Sequence, residues 1–226
     1  MSRLGRPRLH LRATGSTNDQ ARALAAAGAP HGTLVTAREQ TAGRGRWDRT
    51  WVGPPGQALL MSLVLRELDP LLPLRAGLAV ADLAGERARV KWPNDVWVDG
   101  RKVAGILVEA RPQSGWAVLG IGVNVAVDVR GLPDELHETA GTLGRAPEQL
   151  EETLRELLGA LERRLAEPAD TALAALRDRD ALLDRPIAWE GGEGVGAGID
   201  DAGSLLARLA DGRVIALSAG EVRLRH

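Results

Sequence analysis

Lys91 and Lys102 are the only lysines among 29 basic residues, and they bracket the short segment KWPNDVWVDGRK. Arginine is a planar fork of fixed charge, whereas lysine is a compact ammonium on a flexible stem. A lysine kept in an arginine-rich chain suits a place where a point charge must reach one oxygen, although the spacing of two lysines alone fits chance as well. Inside the segment Pro93 interrupts any strand ladder, so Asn94 and Asp95 project from a turn near the end of a sheet. There the Asp95 carboxylate could help hold Mg2+ beside a lysine-bound phosphate, or both side chains could bond their own backbone. Lys102 follows an Asp-Gly turn, on a strand whose Gly105 lets a ligand approach the backbone. An exposed hairpin lysine is the plain alternative.

A second cluster is EQTAGRGRWDRTW, residues 39–51. Gly43 and Gly45 free the backbone to approach an anion, while Arg44, Arg46 and Arg49 set three cations against one acid, Asp48. Such a loop suits oxyanions and orders when phosphate and carboxylate groups neutralise it. GRGR by itself also fits a solvated surface loop, but Trp47 and Trp51 are large aromatics that need something to cover. Earlier in the chain Ser16, Thr17 and Asn18 offer two hydroxyls and an amide at a strand-to-helix turn, where capping alone would explain one of them. GIGVN (120–124) lacks the last glycine of a dinucleotide fingerprint and opens no helix, so it reads as a strand interior ending at Asn124.

These groups need a scaffold, and the pattern supplies one. Residues 8–13 read as a strand, Ser16 or Thr17 caps a helix that stops at Gly28, and residues 33–37 and 58–66 read as strands. The long connection 39–57 lies between them and is of functional length. Residues 71–85 suit a helix. RVKW begins a strand, VWV-DG-RKVAGILVEA is a hairpin, and WAVLGIGVNVAV is one strand more. Leu150, Leu154, Leu157, Leu158, Leu161 and Leu165 recur at helical spacing over 147–166. From residue 182 the texture changes to five short apolar runs punctuated by glycine, which predicts a small β-barrel. Two unequal domains, 1–181 and 182–226, follow.

Bulk properties narrow the function. A formal net charge of −1 argues against a general nucleic-acid binder. The absence of cysteine removes disulfides, thiolate nucleophiles and zinc–sulfur sites. No apolar run reaches membrane-spanning length and the N-terminus has no signal-peptide core, which predicts a cytoplasmic protein. There is no GxxxxGK[ST] or GxSxG motif. His10, His31, His137 and His226 lack metal-ligand spacing and read as surface residues.

Taken in order, STN, EQTAGRGRxxRxW, KWPND, RKVAGILVE and GIGVN resemble the biotin–protein ligases, also called biotin–acetyl-CoA-carboxylase ligases. The likeness runs from about residue 10 to the C-terminus and does not include the winged-helix domain of repressor-type members, so DNA binding is not implied. It implies an α+β fold: a class II synthetase-like catalytic domain, with a mixed sheet flanked by helices, and a small C-terminal SH3-like β-barrel. It also implies a reaction in which biotin and ATP, with Mg2+, give biotinyl-5′-AMP, whose acyl group passes to one lysine of a biotin carboxyl carrier protein domain. By similarity Lys102, with Arg46 and Arg49, is catalytic, and Lys102 contacts the biotin carboxylate and the α-phosphate. Ser16, Thr17, Asn18, Gln40, Gly43, Arg44, Gly45, Arg46 and Gly105 belong to the biotin pocket and its closing loop. Arg46, Arg49, Lys91, Asn94 and Asp95 belong to the ATP and adenylate site, with Arg49 and Lys91 near the phosphates and Asp95 toward the metal, and Trp51 and Asn124 contact adenine. The sequence alone does not give the oligomeric state; the resemblance allows a homodimer of paired sheets. The rival readings are a lipoate or octanoate ligase of similar fold and a non-catalytic biotin or nucleotide sensor.

One consequence is particular to this chain. An enzyme that makes an acyl-adenylate exposes its own lysines to acylation, and this chain has none outside the two proposed for the site. Incubated with biotin and ATP without an acceptor, it should gain very little biotin apart from its N-terminal amine. Intact-mass measurement checks this, and several added biotins would refute it.

Overall fold

Alternation along three long neighbouring strands gives the two faces of one sheet different work. The computed structural model describes residues 4–47 and 49–225, so the predicted acid Asp48 and His226 lie outside the described residues. The first part of the chain runs β1 (Arg8–Leu11), α1 (Thr17–Ala26), β2 (Leu34–Ala37), β3 (Ala58–Leu65), α2 (Leu72–Ala84), β4 (Ala88–Lys91), β5 (Asp95–Val98), β6 (Arg101–Arg111) and β7 (Trp116–Asn124). Helices α3 (Leu150–Ala166) and α4 (Ala169–Asp178) follow. The seven strands form a mixed sheet in the order β1-β2-β3-β7-β6-β5-β4, parallel only between β1 and β2.

On one face Met61 and Leu63 of β3, Leu119 and Ile121 of β7, and Ala104 and Ile106 of β6 are buried in the main core, with Leu78 of α2 and Leu157 and Leu161 of α3. On the other face the register aligns Leu60, Ser62 and Val64 with Gly122, Gly120 and Val118, and these with Gly105, Leu107 and Glu109. Helix α1 covers the Val64–Val118 end through Ala21 and Ala25, four residues apart and so on one side of the helix. At the Leu60 end Val127, Leu132 and Ala140 pack over the sheet, and the stretch between the two covers carries the site.

The predicted elements appear close to their expected bounds. The β5–β6 turn has Asp99 at φ 51° and Gly100 at φ 79°, the two positive angles that an Asp-Gly hairpin requires. Ser16 stands at the N-cap of α1 but makes no side-chain bond to the helix; the Thr17 N–H donates instead to Gln40 Oε1 at 2.7 Å. Helix α4 is absent from the sequence reading. Its Ala172, Leu173 and Leu176 are buried in the main core, and two leucines among alanines in so short a helix give little periodicity to read.

The five runs after residue 182 become β8 (Pro186–Trp189), β9 (Gly192–Ile199), β10 (Leu205–Arg208), β11 (Val214–Leu217) and β12 (Val222–Leu224). They form an antiparallel sheet in the order β11-β10-β9-β8-β12. Ile187, Ile199, Leu205, Ala207 and Val222 are buried in the same core as the large sheet. The chain between the sheets bonds the outer edge of β4, with Val90 N donating to Arg179 O at 2.8 Å and Ala181 N to Val90 O at 3.0 Å. That segment satisfies an edge otherwise open to a foreign strand. The buried Trp92 indole donates to Gly203 O at 3.0 Å and ties the two sheets together. Trp92→Phe keeps most of the packing but leaves the buried Gly203 carbonyl without its donor. Chemical denaturation should show a loss of about 1–3 kcal/mol.

Candidate active site

The open part of the sheet floors a cleft of about 1110 Å3. Glycines keep the floor low. A Cβ at Gly122 would stand 2.5 Å from the Trp51 ring, and one at Gly120 would stand 2.1 Å from Asn18 Oδ1. At Gly105 a Cβ would lie 3.0 Å from the same ring and 3.4 Å from Lys102 Nζ. GIGVN is thus a strand interior as expected, but its glycines also make room for two predicted site residues, which spacing alone does not reveal.

Lys102 reaches this face through a bulge. Val96 pairs with Ala104 but Trp97 pairs with Lys102, so Val103 is an extra residue on β6. Strict alternation would put Lys102 on the core face with Ala104 and Ile106; the bulge turns it to the side of Gly105, Leu107 and Glu109. Its ammonium lies 2.6 Å from Asp95 Oδ1, and the Lys91 ammonium lies 4.0 Å from Asp95 Oδ2. The two lysines therefore flank one carboxylate. Lys91 also stands 5.5 Å from the Trp97 ring centroid, and Lys102 stands 5.7 Å from that of Trp51. Burial first, and the Lys102 charge second, push the Lys91 ammonium below the ordinary lysine range, while Asp95 opposes the shift.

The arginine loop is a small hairpin, closed by the Arg44–Thr50 bridge and by the Gly45 N–H bonded to Arg49 O at 2.7 Å. Its three cations are not equally available. Arg44 Nη1 is 2.7 Å from Asp19 and Arg44 Nη2 is 3.1 Å from Glu109. Burial opposes the Arg44 charge, yet these two acids hold its pKa above the ordinary arginine value. Arg49 is paired with Glu221 of the terminal sheet. Arg46 donates to Asn94 Oδ1 and to Gly220 O, both at 3.2 Å, and alone of the three has no carboxylate in ion-pair range among the described residues. Desolvation lowers its pKa, against the pull of Asp95 and Glu221.

At the other end Thr17 Oγ1 donates to Gln40 Oε1 at 3.0 Å, and Ser62 Oγ bonds Thr17 Oγ1 at 2.8 Å and Asn18 Oδ1 at 2.6 Å. Asn18 Nδ2 donates to Glu109 Oε2 at 2.8 Å. Ser16, Thr17 and Asn18 are buried and line the cleft. Buried Asn124 donates from Nδ2 to Gly141 O at 2.9 Å, while its Oδ1 and the Trp51 Nε1 have no partner among the described residues.

Of the sequence-predicted residues, Ser16, Thr17, Asn18, Gln40, Arg44, Gly45, Arg46, Arg49, Trp51, Lys91, Asn94, Asp95, Lys102, Gly105 and Asn124 all line this cleft. Gly43 does not. It is buried against the Trp51 backbone, where a Cβ would meet the Trp51 carbonyl oxygen at 2.4 Å, so its lack of a side chain seats Trp51. The Asn94 side chain donates to Ile106 O at 2.9 Å and accepts from Arg46, so it bonds to β6 and the loop and not to its own turn. Sequence reasoning missed Asp19, Ser62, Glu109 and Glu221. Glu109 closes the RKVAGILVE motif, but neither it nor a serine in an apolar strand, an acid on a helix or an acid in a loop shows locally what it holds; only the packing does.

The family model for the biotin/lipoate A/B protein ligase family matches residues 11–126. The chain belongs to that family. A biotin–[acetyl-CoA-carboxylase] ligase of Mycobacterium tuberculosis is 37% identical over 235 residues, covering 92% of this chain and 85% of that protein. A bifunctional ligase/repressor BirA of Bacillus subtilis is 41% identical over 143 residues, but the match takes in 58% of this chain and 44% of that protein's length. Among solved structures, the biotin protein ligase of Aquifex aeolicus in complex with biotin and ATP superposes with a TM-score of 0.83 at 26% identity, covering 97% of this chain and 99% of that one. The mixed sheet flanked by helices is therefore the fold of this biotin/lipoate ligase family member. Among the described residues no helix is long and apolar enough to cross a membrane.

The Lys91 charge has a signature in stability. A lysine whose pKa is depressed on folding binds fewer protons folded than unfolded, so stability rises with pH between the depressed value and the ordinary one. Below that window the buried charge costs stability. Lys91→Met should therefore raise the melting temperature at neutral pH by a few degrees, with Asp95 still held by Lys102. Thermal melts across pH should show the gap closing as the pH approaches the ordinary lysine value.

Proposed function

We propose that the chain joins biotin to the α-phosphate of ATP and passes the biotinyl group to a lysine of a biotin carboxyl carrier protein domain. The observation that carries this reading is the grouping of Lys102, Lys91 and Arg46 at one end of a cleft whose other end is a hydrogen-bonding pocket. Family membership and the names of the relatives support it. The hydroxyl and amide groups of residues 16–18 with Gln40 suit a ureido head, and the sheet floor suits an apolar tail.

In the first step a biotin carboxylate oxygen attacks the α-phosphorus and the bond to pyrophosphate breaks, leaving a mixed anhydride. Two anions must meet, and fixed cations aimed at their oxygens lower that barrier. Lys102 is the group at the junction; Lys91 and Arg46 flank it. While the site is empty, Asp95 offsets the repulsion between the two ammoniums, and it gives them up to incoming oxygens. Arg49 makes the same kind of exchange, leaving Glu221 for the phosphates. Arg44, Gly45 and Arg46 close over the adenylate and keep water from the anhydride. In the second step the acceptor amine attacks the acyl carbon and AMP leaves.

The purine fits beside Trp51, where the unpartnered Asn124 Oδ1 suits an exocyclic amine. For Mg2+ the donor set fits in part: Asp95 supplies one carboxylate, and among the described residues no group of three or more His, Cys, Asp or Glu side chains gathers to hold a metal. Substrate phosphates would provide the remaining ligands, and the ion would neutralise phosphate charge. The same reading divides the chain at residues 181 and 182, with the terminal sheet reaching the loop through Gly220 and Glu221, and takes the enzyme as cytoplasmic, with a homodimer of paired sheets as the assembly.

Pyrophosphate release on mixing enzyme, biotin and ATP tests the reading. Release should depend on biotin and fall at least about a hundredfold in Lys102→Ala. Release with lipoate in place of biotin would move the assignment to the rival ligase, and no release with either acid would leave only a sensor.

A further inference from the structure

Glu109 sits on β6 between the head-group pocket and the arginine loop, and its two oxygens serve different elements. Oε2 accepts from Asn18 Nδ2 at 2.8 Å, while Oε1 accepts from Arg22 Nη1 and Arg44 Nη2, each at 3.1 Å. Asp19 Oδ1 closes the ring, 2.6 Å from Arg22 and 2.7 Å from Arg44. Two acids and two arginines from α1, β6 and the loop thus alternate in one circuit.

The Asn18 contact fixes a choice of chemistry. An amide can present its oxygen or its nitrogen, and a carboxylate accepts only from the nitrogen. With Nδ2 held by Glu109, Oδ1 faces Ser62 and the pocket, directly over Gly120. The pocket then offers an acceptor to a ligand N–H, which a urea has and a plain acyl chain lacks. Flipping the amide would set Oδ1 against the carboxylate.

We propose that Glu109 is a positioning residue for head-group specificity: one oxygen orients the Asn18 amide toward a ureido N–H while the other seats the Arg44 loop over the same pocket. This rests on the biotin reading above. Asp19 holds Arg44 as well but does not touch the Asn18 amide, which separates the two effects.

The test is steady-state pyrophosphate release for wild type, Glu109→Gln and Asp19→Asn, with tryptic cleavage of the loop followed in parallel. Glu109→Gln keeps the shape but lets the amide turn and weakens the hold on Arg44. Its KM for biotin should rise about tenfold with kcat within about threefold, since the cationic end is untouched, and biotin should no longer protect the loop from trypsin. Asp19→Asn should speed cleavage too, but its biotin KM should rise several-fold less than that of Glu109→Gln, because the Asn18 amide stays oriented. If Glu109→Gln does not fold, Glu109→Asp takes its place: it keeps the charge but is one methylene short of Asn18, and its KM should rise likewise. A lower kcat at unchanged KM, or an equal KM rise in Asp19→Asn, would overturn the proposal. A wild type without biotin-dependent release would fail the functional reading instead.

Discussion

The Asp95 carboxylate, held between two ammoniums, is the constraint around which the site is built. Lysines near one another in a partly buried cleft repel and lose hydration, and both effects oppose folding. The carboxylate offsets that cost while keeping the ammoniums only one exchange away from a substrate oxygen. The register explains why it stands there: Lys91 pairs with Asp95 across β4–β5, and the bulge on β6 swings Lys102 to the same side. A one-residue slip would turn Lys102 into the core.

The same economy of counter-ions runs through the arginine loop. Arg44 rests on Asp19 and Glu109, and Arg49 on Glu221, so the loop is ordered by acids drawn from three other segments. Arg46 has backbone and amide partners instead and carries the greatest desolvation of the three. Charge that a substrate must later meet is thus stored in pairs that an anion can replace, which favours loop rearrangement on binding.

The floor of the cleft depends on what is missing from it. Side chains at positions 105, 120 and 122 would occupy the space of Trp51 and Asn18, so the glycines are as much a part of the site as the cations. The opposite face of the same strands is filled by Met61, Leu119, Ile121 and Ile106, which gives the floor a rigid backing from α2 and α3. The small sheet adds its own share by binding Trp92 at one end and the loop arginines at the other.

Much of this was legible in the sequence, because its signals are local. Asp-Gly between apolar runs specifies a hairpin, periodic leucines specify a helix, and short glycine-punctuated runs specify the five terminal strands. The ordered motifs marked the cleft residues because each is one contiguous run on a single strand, turn, loop or helix start. What the tertiary structure decided is everything that depends on partners distant in the chain: the bulge that turns Lys102, the acids that occupy Arg44 and Arg49, the seat that Gly43 makes for Trp51, and helix α4. Ser62 carries no mark in its own neighbourhood, and Glu109, although it closes the RKVAGILVE motif, shows no role there; both become site residues only when β3, β6 and α1 converge. Composition and spacing record what one segment can do by itself, whereas charge pairing and close approach arise from surfaces that meet only after folding.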